Sequence, residues 1–197
     1  MKRILTGCLL AVSLAQHALA ALPEGVVAPD FKVQASLAGK AFSYSLKEAL
    51  NKGPVVVYFY PSAYTGGCNI QAHEFSVNQA KFADAGASVI GVSLDSIDRL
   101  NDFSADTNYC AGKVAVASDA DGKIAKSYEL TVRDAAPGKK DTRGIEISHG
   151  FAERTTFIIT PDGKIAATLT GLAPAANVAK SLEVVQHIAD AKKSDNW

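Results

Sequence analysis

Short apolar runs alternate along the chain with longer segments in which apolar residues recur at helical spacing. The short runs predict buried strands, and the spaced segments predict amphipathic helices. The predicted strands are Val55–Tyr60, Ser88–Leu94, Lys113–Ala117, Thr155–Ile159 and Lys164–Leu169. The predicted helices run from Ser45 to about Leu50, from Asn69 to about Ala85, from about Ser96, from Ile124 to Leu130, and through Val178, Leu182, Val185 and Ala189. This order predicts an α/β fold in which helices flank a central mixed sheet that carries an antiparallel hairpin.

Local signals mark the ends of several of these elements. Ser45 and Glu48 form a capping box at the start of the first helix. Turn-forming residues at 119–122 and 161–163 separate the elements on either side of them. The polar stretch 131–150 contains Gly and Pro and is interpreted as a loop insertion. This insertion either faces a substrate or has no part in function, and its sequence leaves both interpretations open.

The N-terminus has the pattern of an export signal. The pattern comprises a basic start, an apolar stretch and a small-residue cleavage site: Lys2 and Arg3, Ile4–Ala15, and Ala18–Ala20. The apolar stretch is shorter than the ~20 residues that a membrane span requires. We therefore predict that residues 1–20 are a cleaved signal peptide, and that a single domain from 21 to 197 acts in an export compartment, the bacterial periplasm.

The composition describes a globular protein in which 20 Lys and Arg balance 20 Asp and Glu among 197 residues. A formal net charge of zero argues against nucleic acid or an anionic membrane as a partner. Small molecules and other proteins are the expected partners. After removal of the signal peptide the cysteines are Cys68 and Cys110. A chain of this length buries a core large enough to be stable without a disulfide. The presence of the two cysteines therefore needs its own explanation.

Cys68 lies where the first long apolar strand passes into the second helix. A thiol at a helix N-terminus faces unpaired backbone N–H groups and the positive end of the helix dipole, and both favour the thiolate. Pro61 ends the strand. Thr65 is expected to place its hydroxyl beside the sulfur, and Gly66 and Gly67 to allow a close approach of the backbone.

A thiolate that cleaves a bond also needs donors that stabilise charge on the leaving atom. Arg154 is the candidate, because it directly precedes the strand Thr155–Ile159. An arginine considered alone is more often a solvated or ion-paired surface residue. The assignment therefore depends on the residues that accompany it.

Together these residues resemble the peroxiredoxin family, and within it the bacterioferritin-comigratory or Q type. Pro61, Thr65 and Cys68 fit the family's Pro-x-x-x-Thr-x-x-Cys motif, and Arg154 stands where the family carries its active-site arginine before a Thr-x-Phe strand. Further matches are Ala28–Phe31, Gly91–Ser93 with Asp95, and Pro161–Ile165. The resemblance extends from about Gly25 to Leu172 and implies a thioredoxin-like fold, peroxide reduction and a role in antioxidant defence and cell redox homeostasis.

The resemblance also implies a catalytic cycle. Cys68 would reduce hydrogen peroxide or an organic hydroperoxide and become a sulfenic acid, with the peroxide bound by Thr65, Gly67 and Arg154. The sulfenate would then form a disulfide with Cys110, the resolving thiol, and a thioredoxin-like or other dithiol would reduce that disulfide. No metal, haem or flavin is implied. A monomer or weak dimer is expected.

Two departures from the family pattern concern the active site. Gln71 stands where members often carry Glu, so a hydrogen bond could replace an ion pair with the arginine. His73 occupies the position where some Q-type members place their resolving cysteine, whereas Cys110 resembles the resolving thiol of a subgroup that carries it on or after the third helix. We expect the two cysteines to be too far apart in the folded protein, so that disulfide formation requires local unwinding.

Other interpretations remain open from the residues alone. Exported proteins usually join two cysteines in a permanent structural disulfide, although such a bond does not need the surroundings of Cys68. An envelope thiol:disulfide oxidoreductase would share the fold but would carry Cys-x-x-Cys, which is absent after Cys68. A peroxide sensor would use the same thiol chemistry. The histidines show no metal-ligand spacing, and a metal site is not expected: His73, His149 and His187.

Overall fold

The computed structural model describes residues 21–194. Residues 1–20, which carry the predicted signal peptide, and residues 195–197 lie outside this part. The strands are β1 (Lys32–Leu37), β2 (Lys40–Ser45), β3 (Val55–Phe59), β4 (Ser88–Ser93), β5 (Ala115–Ser118), β6 (Val132–Arg133), β7 (Phe151–Ala152), β8 (Thr155–Ile159) and β9 (Ile165–Thr170). The helices are α1 (Leu46–Leu50), α2 (Gly66–Asp84), α3 (Ile97–Ala105), α4 (Lys123–Ser127) and α5 (Pro174–Ser194).

A seven-stranded sheet of order β2-β1-β5-β4-β3-β8-β9 forms the centre of the described chain. Strands β3, β4 and β5 are parallel, while β8 and β1 pair antiparallel with β3 and β5 respectively. All residues of β3 are buried, because apolar side chains of helices cover both faces of the sheet. α2, α3 and α5 contribute to the apolar cluster on one face, and α4 contributes to the other.

The predicted α/β architecture with a C-terminal antiparallel hairpin is confirmed. β8 and β9 form the hairpin, and β3 lies between β4 and β8. The capping of the first helix is also present, since Ser45 Oγ accepts a hydrogen bond from the Glu48 N–H at 3.3 Å. Within residues 21–194, no helix is both long and apolar enough to cross a membrane.

The sequence pattern missed the hairpin of β1 and β2 at the edge of the sheet. Most side chains of β2 are exposed, so the strand lacks the apolar run or alternation that predicts burial. Its turn is formed by Ala38 and Gly39, which both have positive φ, 51° and 79°. This conformation fits a type I′ turn, but alanine at its first position hides the usual Asn-Gly signal.

The insertion 131–150 is more ordered than a plain loop. β6 lies within it and pairs with β7, which directly follows it. A further bridge joins Lys140 to Glu146. Ile147 and Asp141 are buried, so the insertion packs against the domain, which its polar composition did not indicate.

Candidate active site

Cys68 is in the first turn of α2, directly after the loop that follows β3. Its side chain is buried, and residue 68 is only 2% exposed. Thr65 is the helix N-cap and its side chain makes no capping hydrogen bond, so the first N–H groups of α2 keep their donor capacity beside the thiol. The prediction that the helix begins at Asn69 was wrong. The loop before Gly66 is held by tertiary contacts, which outweigh the low helix propensity of glycine.

Arg154 reaches Cys68 because β8 runs antiparallel beside β3. Phe59, the last residue of β3, pairs with Thr155, the first residue of β8, so Arg154 lies at the end of the sheet from which the loop to α2 departs. Its Nη2 donates a hydrogen bond to Cys68 Sγ at 3.2 Å. Its Nη1 donates to Gln71 Oε1. These two hydrogen bonds fix the planar guanidinium, which places its positive charge beside the sulfur. The hydrogen bond that was expected between Gln71 and the arginine in place of an ion pair is present.

Gln71 is itself held in one orientation. It is fully buried in α2, and its Nε2 donates to Asn177 Oδ1 at 3.0 Å. Thr156 Oγ1 donates to the same Asn177 oxygen at 2.7 Å. Because Asn177 accepts both bonds, the carbonyl of Gln71 points to Arg154. No motif marked Asn177, which lies in α5 and reaches the site only through the tertiary fold.

Gly67 allows the arginine to approach the helix. A Cβ at this position would lie 3.2 Å from Arg154 Nη2 and 3.4 Å from Pro174 Cγ. Such contacts are tight, so a side chain here would displace the guanidinium that contacts the sulfur. A Cβ on Gly66 would meet nothing within 4 Å. Glycine at position 67 therefore keeps the space that the guanidinium occupies, whereas position 66 offers space for a side chain.

Thr65 is half-buried, and its hydroxyl turns back into the loop. Oγ1 donates to the carbonyl of Ser62 at 2.8 Å, and within residues 21–194 it makes no hydrogen bond with Cys68. The expected contact with the sulfur is thus not a direct hydrogen bond. Because the hydroxyl proton is already donated, the oxygen can still accept a hydrogen bond from a bound molecule. Pro61 opens this loop after Tyr60, whose N–H makes the last hydrogen bond to β4, at 3.1 Å.

Asp95 lies beneath the loop with its carboxylate fully buried. It accepts hydrogen bonds from several elements: Ser62 Oγ at 2.9 Å, the Ala63 N–H at 2.8 Å, Ser93 Oγ at 2.7 Å, Arg99 Nε at 2.8 Å and His149 Nε2 at 2.8 Å. One carboxylate therefore joins the loop before Cys68 to β4, α3 and the insertion. The family resemblance included Asp95, but it did not indicate that this carboxylate connects the loop to three other elements.

The pKa values of the buried Asp95 and the half-buried His149 shift in opposite directions. Burial alone would raise the pKa of Asp95, but the hydrogen bond and charge of His149, with the Ala63 N–H, outweigh it and lower that pKa below its ordinary value. Burial lowers the pKa of His149, whereas the hydrogen bond and charge of Asp95 raise it to a net value above the ordinary one. Both shifts favour the ion pair.

The insertion is connected to this network through a second buried carboxylate. Asp141 accepts hydrogen bonds from Arg99 Nη2 at 2.8 Å and from the backbone N–H groups of Arg143 and Ile145 at 2.8 and 3.0 Å. Arg99 also donates to the carbonyl of Ala63 at 2.9 Å. The insertion is thus joined through Arg99 to the loop before Cys68.

Tyr64 has an unusual backbone conformation. It is a non-glycine residue with φ of 59°, in the left-handed region that costs about 1–3 kcal/mol. Its buried ring makes edge contacts with Phe103 and Tyr109, with centroid distances of 5.0 and 5.7 Å. The guanidinium of Arg143 lies 3.3 Å from the ring centroid. Burial raises the pKa of Tyr64 to about 12, against the opposing charge of Arg143.

Cys110 follows α3 and is completely buried. Both described cysteines are free thiols. Burial, with a smaller effect of Asp106, raises the pKa of Cys110 well above its ordinary value. A buried, protonated thiol is a poor nucleophile, so reaction at Cys110 requires its exposure.

His73 and His149 have different hydrogen-bond partners. His149 pairs with Asp95, and His73 Nδ1 is 3.1 Å from the carbonyl oxygen of Asn108. Among residues 21–194, no group of three or more His, Cys, Asp and Glu side chains is arranged to hold a metal ion.

The sheet with a buried cysteine at the N-terminus of α2 and an arginine on its sulfur defines a thiol-dependent oxidoreductase of thioredoxin-like fold. The AhpC/TSA family model matches residues 25–168, and the chain belongs to that family. A Helicobacter pylori relative that carries the name peroxiredoxin bcp is 36% identical over 142 residues, which cover 72% of this chain and 84% of the relative. These similarities place the chain with the Bcp or Q-type peroxiredoxins.

Solved structures agree with this placement. The chain is similar to the crystal structure of peroxidoxin BcpB from Mycobacterium tuberculosis, with a TM-score of 0.70, 26% identity, and coverage of 85% of this chain and 98% of the other. It is also similar to the bacterioferritin comigratory protein of Xanthomonas campestris, whose structures address its alkyl peroxide reduction activity, with a TM-score of 0.62, 25% identity, and coverage of 80% and 92%. The thioredoxin-like fold is confirmed. The protein is a thiol peroxidase, and neither the envelope oxidoreductase nor the structural-disulfide interpretation is favoured.

Proposed function

We propose that the protein reduces hydrogen peroxide and organic hydroperoxides by a two-cysteine cycle, with Cys68 as the peroxidatic and Cys110 as the resolving thiol. The observation that carries the assignment of Cys68 is the hydrogen bond from Arg154 Nη2 to its sulfur at 3.2 Å. The alkyl peroxide reduction activity of the similar Xanthomonas campestris protein supports the substrate class.

In the first step the Cys68 thiolate attacks the terminal oxygen of the peroxide. An S–O bond forms, the O–O bond breaks, and the leaving oxygen takes a proton and departs as water or an alcohol. Arg154 and the free N–H groups of α2 stabilise the charge that moves from sulfur to the leaving oxygen. The Thr65 oxygen accepts a hydrogen bond from the hydroperoxide. Gly67 keeps the space for the arginine, and Pro61 shapes the loop.

In the second step the Cys68 sulfenic acid reacts with the Cys110 thiol, forming the disulfide and water. Cys68 is 2% exposed and Cys110 is 0% exposed, so both segments must open before the sulfurs meet. A thioredoxin-like or other dithiol then reduces the disulfide and is itself oxidised.

The cycle is tested with the chain from residue 21 onward, reduced and mixed with one equivalent of hydrogen peroxide. Both thiols should disappear within seconds, and mass spectrometry should find the Cys68–Cys110 bond. Cys68→Ser should abolish peroxide consumption, whereas Cys110→Ser should allow one stoichiometric turnover and no recycling by a dithiol. Equal multiple-turnover activity in both variants, or thiols that persist with peroxide, would refute the cycle.

We also propose that the protein is exported to the periplasm after removal of residues 1–20, and acts there as a monomer or weak dimer. The basic, apolar and small-residue pattern of the N-terminus supports export. Expression of the full chain in a Gram-negative host should give a periplasmic protein whose N-terminal sequence begins at Ala21. Intact chains found only in the cytoplasm would contradict export.

A further inference from the structure

Thr142 of the insertion contacts the active-site loop on both sides of the segment 65–68. Its N–H and its hydroxyl both donate hydrogen bonds to the carbonyl of Tyr64, each at 2.9 Å. The same hydroxyl oxygen accepts a longer hydrogen bond from Asn69 Nδ2 at 3.5 Å. A single side chain therefore joins the residue before Thr65 to the residue after Cys68.

The turn that presents Thr142 is itself anchored. The Asp141 carboxylate accepts the Arg143 N–H and the Ile145 N–H, and Arg99 Nη2 holds the same carboxylate at 2.8 Å. Thr142 and the residues after it are exposed, but the hydrogen bonds to the buried Asp141 carboxylate fix the turn, so the contacts of Thr142 have low conformational freedom.

Tyr64, the acceptor of the Thr142 bonds, needs external support for its left-handed backbone. It also connects the two cysteine segments, because its ring contacts Tyr109, the residue before Cys110. Loss of the hydrogen bonds to the Tyr64 carbonyl would consequently affect both the start of α2 and the turn that carries Cys110.

We propose that Thr142 is a positioning residue for the peroxidase reaction: its hydroxyl, by bridging Tyr64 and Asn69, holds Cys68 in the folded geometry that reacts with peroxide and opposes the unwinding that precedes disulfide formation. The inference rests on the two-cysteine cycle proposed above. Within residues 21–194 Thr142 makes no hydrogen bond to the sulfur, and it acts through the backbone that carries Cys68.

The test measures the two steps of the cycle separately. Sulfenate formation is followed by rapid quench with a sulfenate-trapping reagent in Cys110→Ser protein, and disulfide formation is followed in protein that retains Cys110 after limiting peroxide. Thr142→Val should lower the rate constant of the first step about three- to tenfold, the range expected for one lost hydrogen bond, and raise that of the second. Thr142→Ser, which keeps the hydroxyl, should behave as the parent protein in both.

Thr160→Val is the matched control, because its hydroxyl bonds Asp162 Oδ1 and the Lys164 carbonyl in the turn after β8, at the opposite end of that strand from Arg154. It should leave both rates unchanged. Asn69→Ala removes the other partner of the Thr142 hydroxyl and should shift both rates in the same directions, which provides the test should Thr142→Val not fold.

Opposite changes in the two steps support the proposal, because loss of the bridge disfavours the folded geometry of Cys68 and eases its unwinding, provided that Thr160→Val shows neither change. Unchanged rates, equal slowing of both steps, or a serine variant that behaves like valine would refute it. Failure of the parent protein to form any sulfenate would instead refute the proposed cycle.

Discussion

Replacing Arg154 with methionine should slow the reaction of Cys68 with hydrogen peroxide by about two to three orders of magnitude. The arginine lies 3.2 Å from the sulfur. For unit charges at an effective dielectric constant of about 20, that distance corresponds to an attraction of about 5 kcal/mol. Only the part that is stronger in the transition state accelerates the reaction, and removal of one such donor typically costs about 3–4 kcal/mol.

Arg154→Lys should also be slower than the parent protein, by about tenfold or more. The guanidinium uses Nη1 for Gln71 and Nη2 for Cys68. A lysine ammonium is a single point charge and cannot hold both groups in the same plane. Retention of charge without retention of rate would therefore show that the geometry of the fork contributes.

The assay is the second-order rate constant of sulfenate formation in Cys110→Ser protein at fixed pH. Arg133→Met is the matched control, because Arg133 is an exposed arginine in β6. It should leave the rate constant unchanged. A folded Arg154→Met protein that reacts within about threefold of the parent would refute the reasoning, since an effect below about 0.7 kcal/mol is too small for a donor to the leaving oxygen.

Three further predictions concern the buried surroundings of the site. Gly91→Ala should lower the free energy of unfolding by about 1–3 kcal/mol in chemical denaturation, because a Cβ would lie 2.5 Å from Tyr58 Cζ in the core. The stabilisation that His149 contributes, measured as the difference in unfolding free energy between parent and His149→Gln, should be full below about pH 6.5 and decline as the pH rises through the raised pKa of His149. Gln71→Glu should slow sulfenate formation, because its carboxylate would compete with Cys68 for the charge of the arginine.

A different result would contradict each of these three predictions. An alanine at position 91 that leaves the denaturation midpoint unchanged would show that the tyrosine ring moves aside at little cost. A constant or increasing contribution of His149 between pH 6 and pH 9 would contradict the sign of its pKa shift. A Gln71→Glu protein as fast as the parent would show that the carboxylate does not draw the guanidinium from the sulfur.

The sequence determined the elements that are buried or sharply capped. β3 and β8 are short apolar runs between turn signals. This hydrophobic pattern lies within a few consecutive residues, so the sequence shows it directly. The motif Pro61, Thr65 and Cys68, with Arg154, could be read from residue types and order. The exposed edge strand β2 could not, because its stability comes from pairing with β1 and its side chains carry no periodic signal.

Tertiary structure alone decided how the site is held. Arg154 meets Cys68 because β8 pairs antiparallel with β3, a register set by the whole sheet. Asn177, which orients Gln71, lies in α5 and is 106 residues away in sequence. The insertion 131–150 looked like a polar loop, yet Thr142 reaches Tyr64. Such contacts join residues distant in sequence through single hydrogen bonds, and no local periodicity records them, because the free energy of each pair depends on the fold that brings it together.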